Sequence, residues 1–127
     1  MSSRLVTSFA LVGVAAAGLL ARDVLPAGVG GPLGDALYAT LVVLAVVMLR
    51  PRTSPVVAAL VGFAVCVVLE LFQATGVPAA LAEHWPPVRL VLGTTFWAPD
   101  LLRYAAGAVL GGLLCAVLAR AGRGRTP

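Results

Sequence analysis

The chain contains no lysine and few charged residues of any kind. Charged side chains make up 11% of its 127 residues, against about 25% in a soluble domain. Without lysine, neither a Schiff-base lysine nor the lysine of a phosphate-binding loop is possible. Hydrophobic residues make up 61% of the sequence. This composition predicts an integral membrane protein, and the length supports a single transmembrane domain over residues 1–127.

Residues that commonly bind metals or carry out catalysis are scarce as well. Cys66 and Cys115 match no metal or redox spacing, so we interpret them as packing residues that do not form a disulfide. His84 is the only histidine, which argues against a zinc site, and no serine lies in a nucleophile motif. The sequence therefore predicts no metal, no cofactor and no catalytic residue, and it favours a function other than catalysis.

Four apolar segments predict an all-α membrane protein with four transmembrane helices. Each is expected to be helical because a spanning segment must satisfy its own backbone hydrogen bonds. The stretch 22–35 is rich in glycine and proline and is interpreted as a linker, with Asp35 capping the second helix. The stretch 75–98 alternates apolar and charged residues, which indicates an interfacial or re-entrant segment. The four helices are expected at residues 5–21, 36–49, 56–74 and 99–119.

The arginines predict the orientation of these helices. Two lie in the first and third connections, at Arg22 and Arg89. Six lie at the amino end, in the second connection and in the tail: Arg4, Arg50, Arg52, Arg120, Arg123 and Arg125. Because positive residues favour the cytoplasmic side, we expect a multi-pass protein of the cell membrane with both termini inside. No basic patch with interleaved aromatic residues indicates nucleic acid.

The first segment has a second interpretation, since it could be a cleaved signal peptide. Arg4 precedes the apolar run, and small residues follow at positions 15–17. A retained helix fits better, because an even number of helices keeps the basic ends on one side.

Glu70 is the most unusual residue, since it interrupts a long uncharged run. At a rise of about 1.5 Å per residue it lies roughly 22 Å into a hydrocarbon layer about 30 Å thick. Asp35, Asp100 and Arg103 are expected at the same level. We therefore predict that Glu70 and Arg103 lie within hydrogen-bonding reach, directly or through water, with Asp100 as a second partner of the arginine. An ionisable residue within a span suggests either function or a structural polar network.

Small residues predict which helix faces meet. The third segment carries a small and polar stripe at helical spacing: Ala59, Gly62, Cys66, Glu70 and Gln73. The fourth carries Tyr104 and then Gly107 and Gly111, a G-x-x-x-G pair that lets backbones approach closely in lipid. We expect these two faces to pack against each other.

The chain resembles DUF2809, a family of bacterial integral membrane proteins. The resemblance rests on "GDALYA" at residues 34–39, "ELFQ" at 70–73 and "LVLGTTFWAPDLLRYAAGAVLG" at 90–111. The matching motif positions are Glu70, Gln73, Gly93, Phe96, Asp100, Tyr104 and Gly107. More distantly, the chain is similar to the VanZ family, which is linked to low-level teicoplanin resistance. The resemblance implies a four-helix envelope protein and does not imply an enzyme.

Several functions follow from these observations as alternatives. The favoured one is an outward-facing polar pocket that binds an envelope molecule, such as a lipid, or a partner membrane protein in the bilayer. The second is a proton-coupled transporter component, which would need homo-oligomers because four short helices make a thin pathway. A VanZ-like envelope or resistance factor and an enzyme for lipid-linked substrates are further alternatives. The candidate pocket residues are Asp35, Glu70, Gln73, Asp100, Arg103 and Tyr104.

Overall fold

The computed structural model describes residues 3–92 and 97–123, and these form helices and connections with no strand. Four of the helices are long and apolar enough to span a membrane, which confirms the predicted all-α membrane protein with four spanning helices. In chain order the helices are α1 (Ser3–Val24), α2 (Ala27–Leu49), α3 (Pro55–Gln73), α4 (Val77–His84), α5 (Val88–Leu92) and α6 (Asp100–Arg123). The spanning helices are α1, α2, α3 and α6.

The second spanning helix begins well before the position predicted from the sequence. α2 starts at Ala27, so most of the expected linker at 22–35 is helical, and Pro32 lies inside the helix. The N-cap residue is Pro26, and no side chain caps the helix. The prediction that Asp35 caps α2 is therefore wrong. A proline inside a spanning helix is tolerated where neighbouring groups satisfy the backbone that it frees.

Glycines in this part of α2 serve close packing against α1. A Cβ on Gly30 would clash with the carbonyl oxygen of Ala21, and a Cβ on Gly34 would lie 2.5 Å from Nε of Arg22. Small residues allow such close approach between helices in a membrane. In a sequence, the same glycines have the composition of a flexible linker, which explains the error.

α3 is defined at both ends by local chemistry. Its N-cap is Ser54, whose side-chain oxygen accepts a hydrogen bond from the backbone N–H of Val57, and Pro55 occupies the first turn. Both features favour the start of a helix. Just past its end, Gly76 adopts a φ of 80°, a left-handed conformation that glycine accepts at little cost. The chain then turns directly into α4.

α2 lies at the centre of the bundle and packs against α1, α3 and α6. A Cβ on Gly62 of α3 would lie 2.5 Å from Val43 Cγ2, and one on Gly111 of α6 would lie 2.8 Å from Val43 Cβ. Val43 is completely buried. It belongs to a core cluster formed with Leu44, Ala58, Ala108 and Cys115.

The G-x-x-x-G pair of α6 therefore faces a different helix from the one predicted. A Cβ on Gly107 would clash with the backbone of Ala36, which like Val43 belongs to α2. The third and fourth spanning helices, α3 and α6, pack against each other as predicted. The prediction that Gly107 and Gly111 form this contact is wrong, because both face α2. The neighbouring Gly112 makes that approach instead, since a Cβ there would lie 3.1 Å from the Cβ of Ala59. A small-residue face indicates close packing without indicating which helix supplies the partner.

The exterior of the bundle is apolar. Large hydrophobic side chains such as Phe9, Leu49 and Leu102 expose 66%, 79% and 77% of their surface. An exterior of this kind suits lipid tails, which are as apolar as these side chains. The two cysteines are buried and unbridged, as predicted.

Two short helices, α4 and α5, occupy the segment between α3 and α6 that the sequence marked as interfacial or re-entrant. Its aromatic residues Trp85 and Trp97 are 66% and 51% exposed. Two family-motif positions in this segment, Gly93 and Phe96, lie outside the described residues.

Candidate functional site

Charged side chains converge at one end of the bundle, where α3 ends and α6 begins. Nη1 of Arg103 donates hydrogen bonds to Oδ2 of Asp35 and to Oδ1 of Asp100, both at 3.0 Å. These side chains retain only 14% to 24% exposure. The prediction that Asp100 is a partner of Arg103 is confirmed, and Asp35 is a partner that the sequence did not indicate.

The pairing of Asp35 with Arg103 follows from the helix packing. Arg103 lies one turn before Gly107, and Asp35 immediately precedes Ala36, the residue whose backbone Gly107 approaches. The close contact between the two helices therefore brings the two charged side chains together.

A second arginine completes the ion pairs. Nη2 of Arg22, near the end of α1, donates to Oδ1 of Asp35 at 2.9 Å. From the sequence, Arg22 is expected only to influence the orientation of the helices in the membrane. The ion pair forms because only two residues connect α1 to α2, which keeps Arg22 close to Asp35. The interpretation of 22–35 as a linker did not predict this short connection.

Trp97 connects these ion pairs to Glu70. The guanidinium carbon of Arg103 lies 4.7 Å from the centre of the Trp97 ring, within the range of a cation–π interaction. The backbone N–H of Trp97 donates to Oε1 of Glu70 at 2.6 Å. Glu70 and Arg103 form no direct hydrogen bond among the described residues, so the direct form of the predicted pairing is wrong, and its water-mediated form stays a prediction. Trp97 contacts both residues.

We call this group of side chains the polar cluster; it consists of Arg22, Asp35, Glu70, Trp97, Asp100 and Arg103.

Glu70 is the least satisfied member of the polar cluster. Its side chain is completely buried, with 0% exposure. Oε1 accepts the bond from Trp97, whereas Oε2 is buried and has no hydrogen-bond partner among the described residues. An ionised carboxylate only accepts hydrogen bonds, and an unpaired buried acceptor carries the full cost of its desolvation. A hydrogen-bond donor that reached Oε2 would remove this cost.

Side chains beside the polar cluster hold the main chain of the connecting segment. Nε2 of Gln73 donates to the carbonyl oxygen of Leu92 at 2.5 Å. The hydroxyl of Tyr38 donates to the carbonyl oxygen of Val91 at 2.6 Å. Because residues three apart share a helix face, Glu70 and Gln73 bind the same segment. Tyr38 was not predicted, since an isolated tyrosine in an apolar helix gives no signal of such a role.

Tyr104 lies deeper and packs within the bundle. It is buried with 8% exposure, in a cluster with Ala39 and Cys66. Close by, the hydroxyl of Thr40 donates to the carbonyl oxygen of Gly107 at 2.8 Å. The structure therefore joins Asp35, Asp100 and Arg103 directly, and it places Tyr104 in the packed interior.

The donor set of the described residues does not suit a metal. No group of three or more histidine, cysteine or acidic side chains is arranged there to hold an ion. His84 is exposed at the end of α4, apart from the polar cluster.

Comparison with protein families gives a match to the family described as "Protein of unknown function (DUF2809)" over residues 24–108. The match covers more than half of the chain. The chain belongs to the DUF2809 family. The matched region extends from the end of α1 into α6. It includes Asp35, Glu70, Gln73, Asp100 and Arg103. No curated protein and no solved structure matches the chain.

Proposed function

We propose that this DUF2809 protein is a multi-pass protein of the cell membrane that binds a polar or amphipathic envelope molecule at the polar cluster. One observation carries the proposal: Glu70 is fully buried, and its Oε2 has no partner among the described residues. An ionisable side chain within a membrane span is costly, and where it occurs it commonly marks a binding site or an ion pathway.

The arrangement around Glu70 favours binding over a purely structural role. Asp35 and Asp100 are each paired with a guanidinium, as a structural network requires. Within the described part of the chain, Glu70 instead has one backbone partner and one carboxyl oxygen without a partner. A carboxyl group needed only to hold the Trp97 N–H could be replaced by an amide, which has the same acceptor oxygen.

The polar cluster faces the outside of the cell in this proposal. Arg4, Arg50, Arg52 and Arg120 lie exposed at the opposite end of the bundle, which we call the arginine end. Positive residues favour the cytoplasmic side, so this end and both termini are inside.

A reporter fused after Arg52 should be cytoplasmic, and one fused after Glu83 should be external. The reverse pattern would place the polar cluster inside the cell and contradict this part of the proposal.

The experiment for the binding function is co-purification. The wild type and the variant Glu70→Gln are purified in mild detergent, and the molecules that remain bound are identified by mass spectrometry. Glu83→Gln is the matched control, because it removes the same charge from an exposed position on α4. We expect a molecule that is retained by the wild type and the control and is lost from Glu70→Gln. Identical bound molecules in all three proteins would contradict the proposal. If a protein is retained in the same Glu70-dependent way, the ligand is a partner protein and not a small molecule.

A proton-coupled transporter component is the second candidate, favoured by the same oxygen of Glu70, since a buried carboxyl in a membrane can exchange a proton. It requires homo-oligomers, and it predicts pH-dependent uptake into vesicles that is abolished by Glu70→Gln. Binding without uptake would decide for the first candidate.

A further inference from the structure

Glu70 differs from the other carboxyl groups of the polar cluster in its partners. Asp35 and Asp100 pair with the guanidiniums of Arg22 and Arg103, whereas Glu70 binds only the Trp97 N–H among the described residues. An ionised carboxylate that is buried without a counter-charge is costly. A positively charged group beside Glu70 would therefore stabilise its ionised form.

Such a positively charged group would also have to donate a hydrogen bond. Oε2 of Glu70 is the acceptor without a partner among the described residues, and hydrogen bonds in which both groups are charged are the strong ones. A divalent metal does not fit, since it requires several oxygen ligands and no such group exists in the described part of the chain. A protonated amine supplies both the charge and the N–H donors.

The two arginines can stabilise an anionic group beside such an amine. Among the described residues, each of the two arginines uses a single nitrogen to donate to the aspartates: Nη1 in Arg103 and Nη2 in Arg22. A guanidinium has five N–H donors that suit a phosphate, and the Arg22 and Arg103 side chains keep 36% and 24% exposure. The phosphate of an amine-bearing phospholipid headgroup would therefore find N–H donors in the same polar cluster as Glu70.

We propose that the polar cluster binds a lipid headgroup with a protonated primary amine, which donates a hydrogen bond to Oε2 of Glu70. This proposal rests on the proposed binding function and names the chemistry of its ligand. Because Glu70 is completely buried, the amine reaches it only when the packing around this carboxyl group opens. Trp97 is placed to report such an opening, because its N–H binds Oε1 of Glu70 and its side chain is half exposed.

The test compares three lipids that differ in the headgroup amine. Phosphatidylethanolamine carries an ammonium with N–H donors, phosphatidylcholine carries the same charge without a donor, and phosphatidylglycerol carries neither. Each is titrated into the delipidated protein in detergent, and the bound lipid is counted by native mass spectrometry. We expect wild type and Glu83→Gln to bind phosphatidylethanolamine about tenfold more tightly than the other two, as expected for one charged hydrogen bond. We expect Glu70→Gln to lose this preference.

A second readout follows Trp97 in the wild-type cluster. The exposed Trp85 is changed by Trp85→Phe, so that Trp97 is the only tryptophan. Its fluorescence should change on addition of phosphatidylethanolamine and not of phosphatidylcholine. This measurement keeps Glu70 and therefore remains informative if Glu70→Gln does not fold.

Three outcomes would overturn the inference: equal binding of the three lipids, a preference that survives Glu70→Gln, or a Trp97 signal that does not distinguish the lipids. They differ from failure of the proposed function. Suppose that the co-purification experiment finds a molecule that requires Glu70 for its retention but contains no amine. The proposed binding function then stands, and the proposed amine headgroup is wrong. If no retained molecule depends on Glu70, the binding function itself is wrong.

Discussion

The middle of the bundle and its polar end are held together by different kinds of contact. In the middle, Gly62, Gly107 and Gly111 allow α3 and α6 to approach α2 so closely that a Cβ at any of them would collide with α2. At the polar end, long side chains bridge the helices through charged hydrogen bonds. The contacts in the middle require residues without a side chain at these positions. The contacts at the polar end require oppositely charged side chains. A charged ligand at the polar cluster would act directly on the second kind of contact.

The two regions are nevertheless connected. The approach of Gly107 to Ala36 sets the register of α6 against α2, and that register places Arg103 beside Asp35. We expect substitutions in the middle to disturb both regions and substitutions at the polar end to disturb only that end.

The largest effect is expected for Gly107→Ala. The added Cβ would overlap the backbone of Ala36, which cannot move aside as a flexible side chain can. We expect a loss of about 3 kcal/mol or more in the free energy of unfolding, measured by titration with a denaturing detergent in mixed micelles. Gly13→Ala in α1 is the matched control, because a Cβ there meets nothing within 4 Å. Equal stability of the two variants would contradict the packing of α6 against α2.

An intermediate effect is expected for Arg103→Leu. The substitution leaves Asp100 without its partner, while Asp35 keeps Arg22. Because these side chains retain some exposure, we expect a loss of about 1 to 3 kcal/mol, less than the cost of breaking a fully buried pair. The double variant Arg103→Leu/Asp100→Leu should recover part of this loss in the same detergent titration.

The exposed Arg89 provides the control for this prediction. Arg89→Leu should change the stability little, since surface substitutions usually have small effects. If Glu70→Leu rescued Arg103→Leu better than Asp100→Leu does, Glu70 rather than Asp100 would be the partner of the arginine.

The smallest effect on stability is expected for Glu70→Gln. The amide oxygen of glutamine can still accept the bond from the Trp97 N–H, so we expect a change below about 1 kcal/mol. Thermal unfolding of the variant should resemble that of the wild type and of Glu83→Gln. Unfolding as severe as that of Gly107→Ala would show that the charge of Glu70 serves the fold rather than a ligand.

The helices and the level of the charged residues could be predicted because both depend on local pattern. Hydropathy indicates a span, and a constant rise per residue places Asp100, Arg103 and Glu70 at similar depth. The pairing could not be predicted in the same way. Gly107 and Gly111 indicate a close approach, but the choice of α2 over α3 depends on how all four helices pack.

The remaining errors have a similar origin. The glycines around Pro32 have the composition of a loop, and only the neighbouring α1 shows that they are packing positions. The hydrogen bond from Trp97 to Glu70 involves a main-chain group, which every residue possesses and no motif marks. Long-range main-chain contacts of this kind require the fold itself.

The most direct test of the account is the carboxyl signal of Glu70 in a carbon-13 NMR spectrum. The chain has two glutamates, Glu70 and Glu83, so selective labelling gives two carboxyl signals, which Glu83→Gln assigns. The spectrum is recorded with the co-purified molecules bound and again after they are removed by detergent exchange. The account predicts that the Glu70 signal shifts while the exposed Glu83 does not change. An unchanged Glu70 signal, with removal of the bound molecules verified, would contradict the claim that this carboxyl group is the binding site.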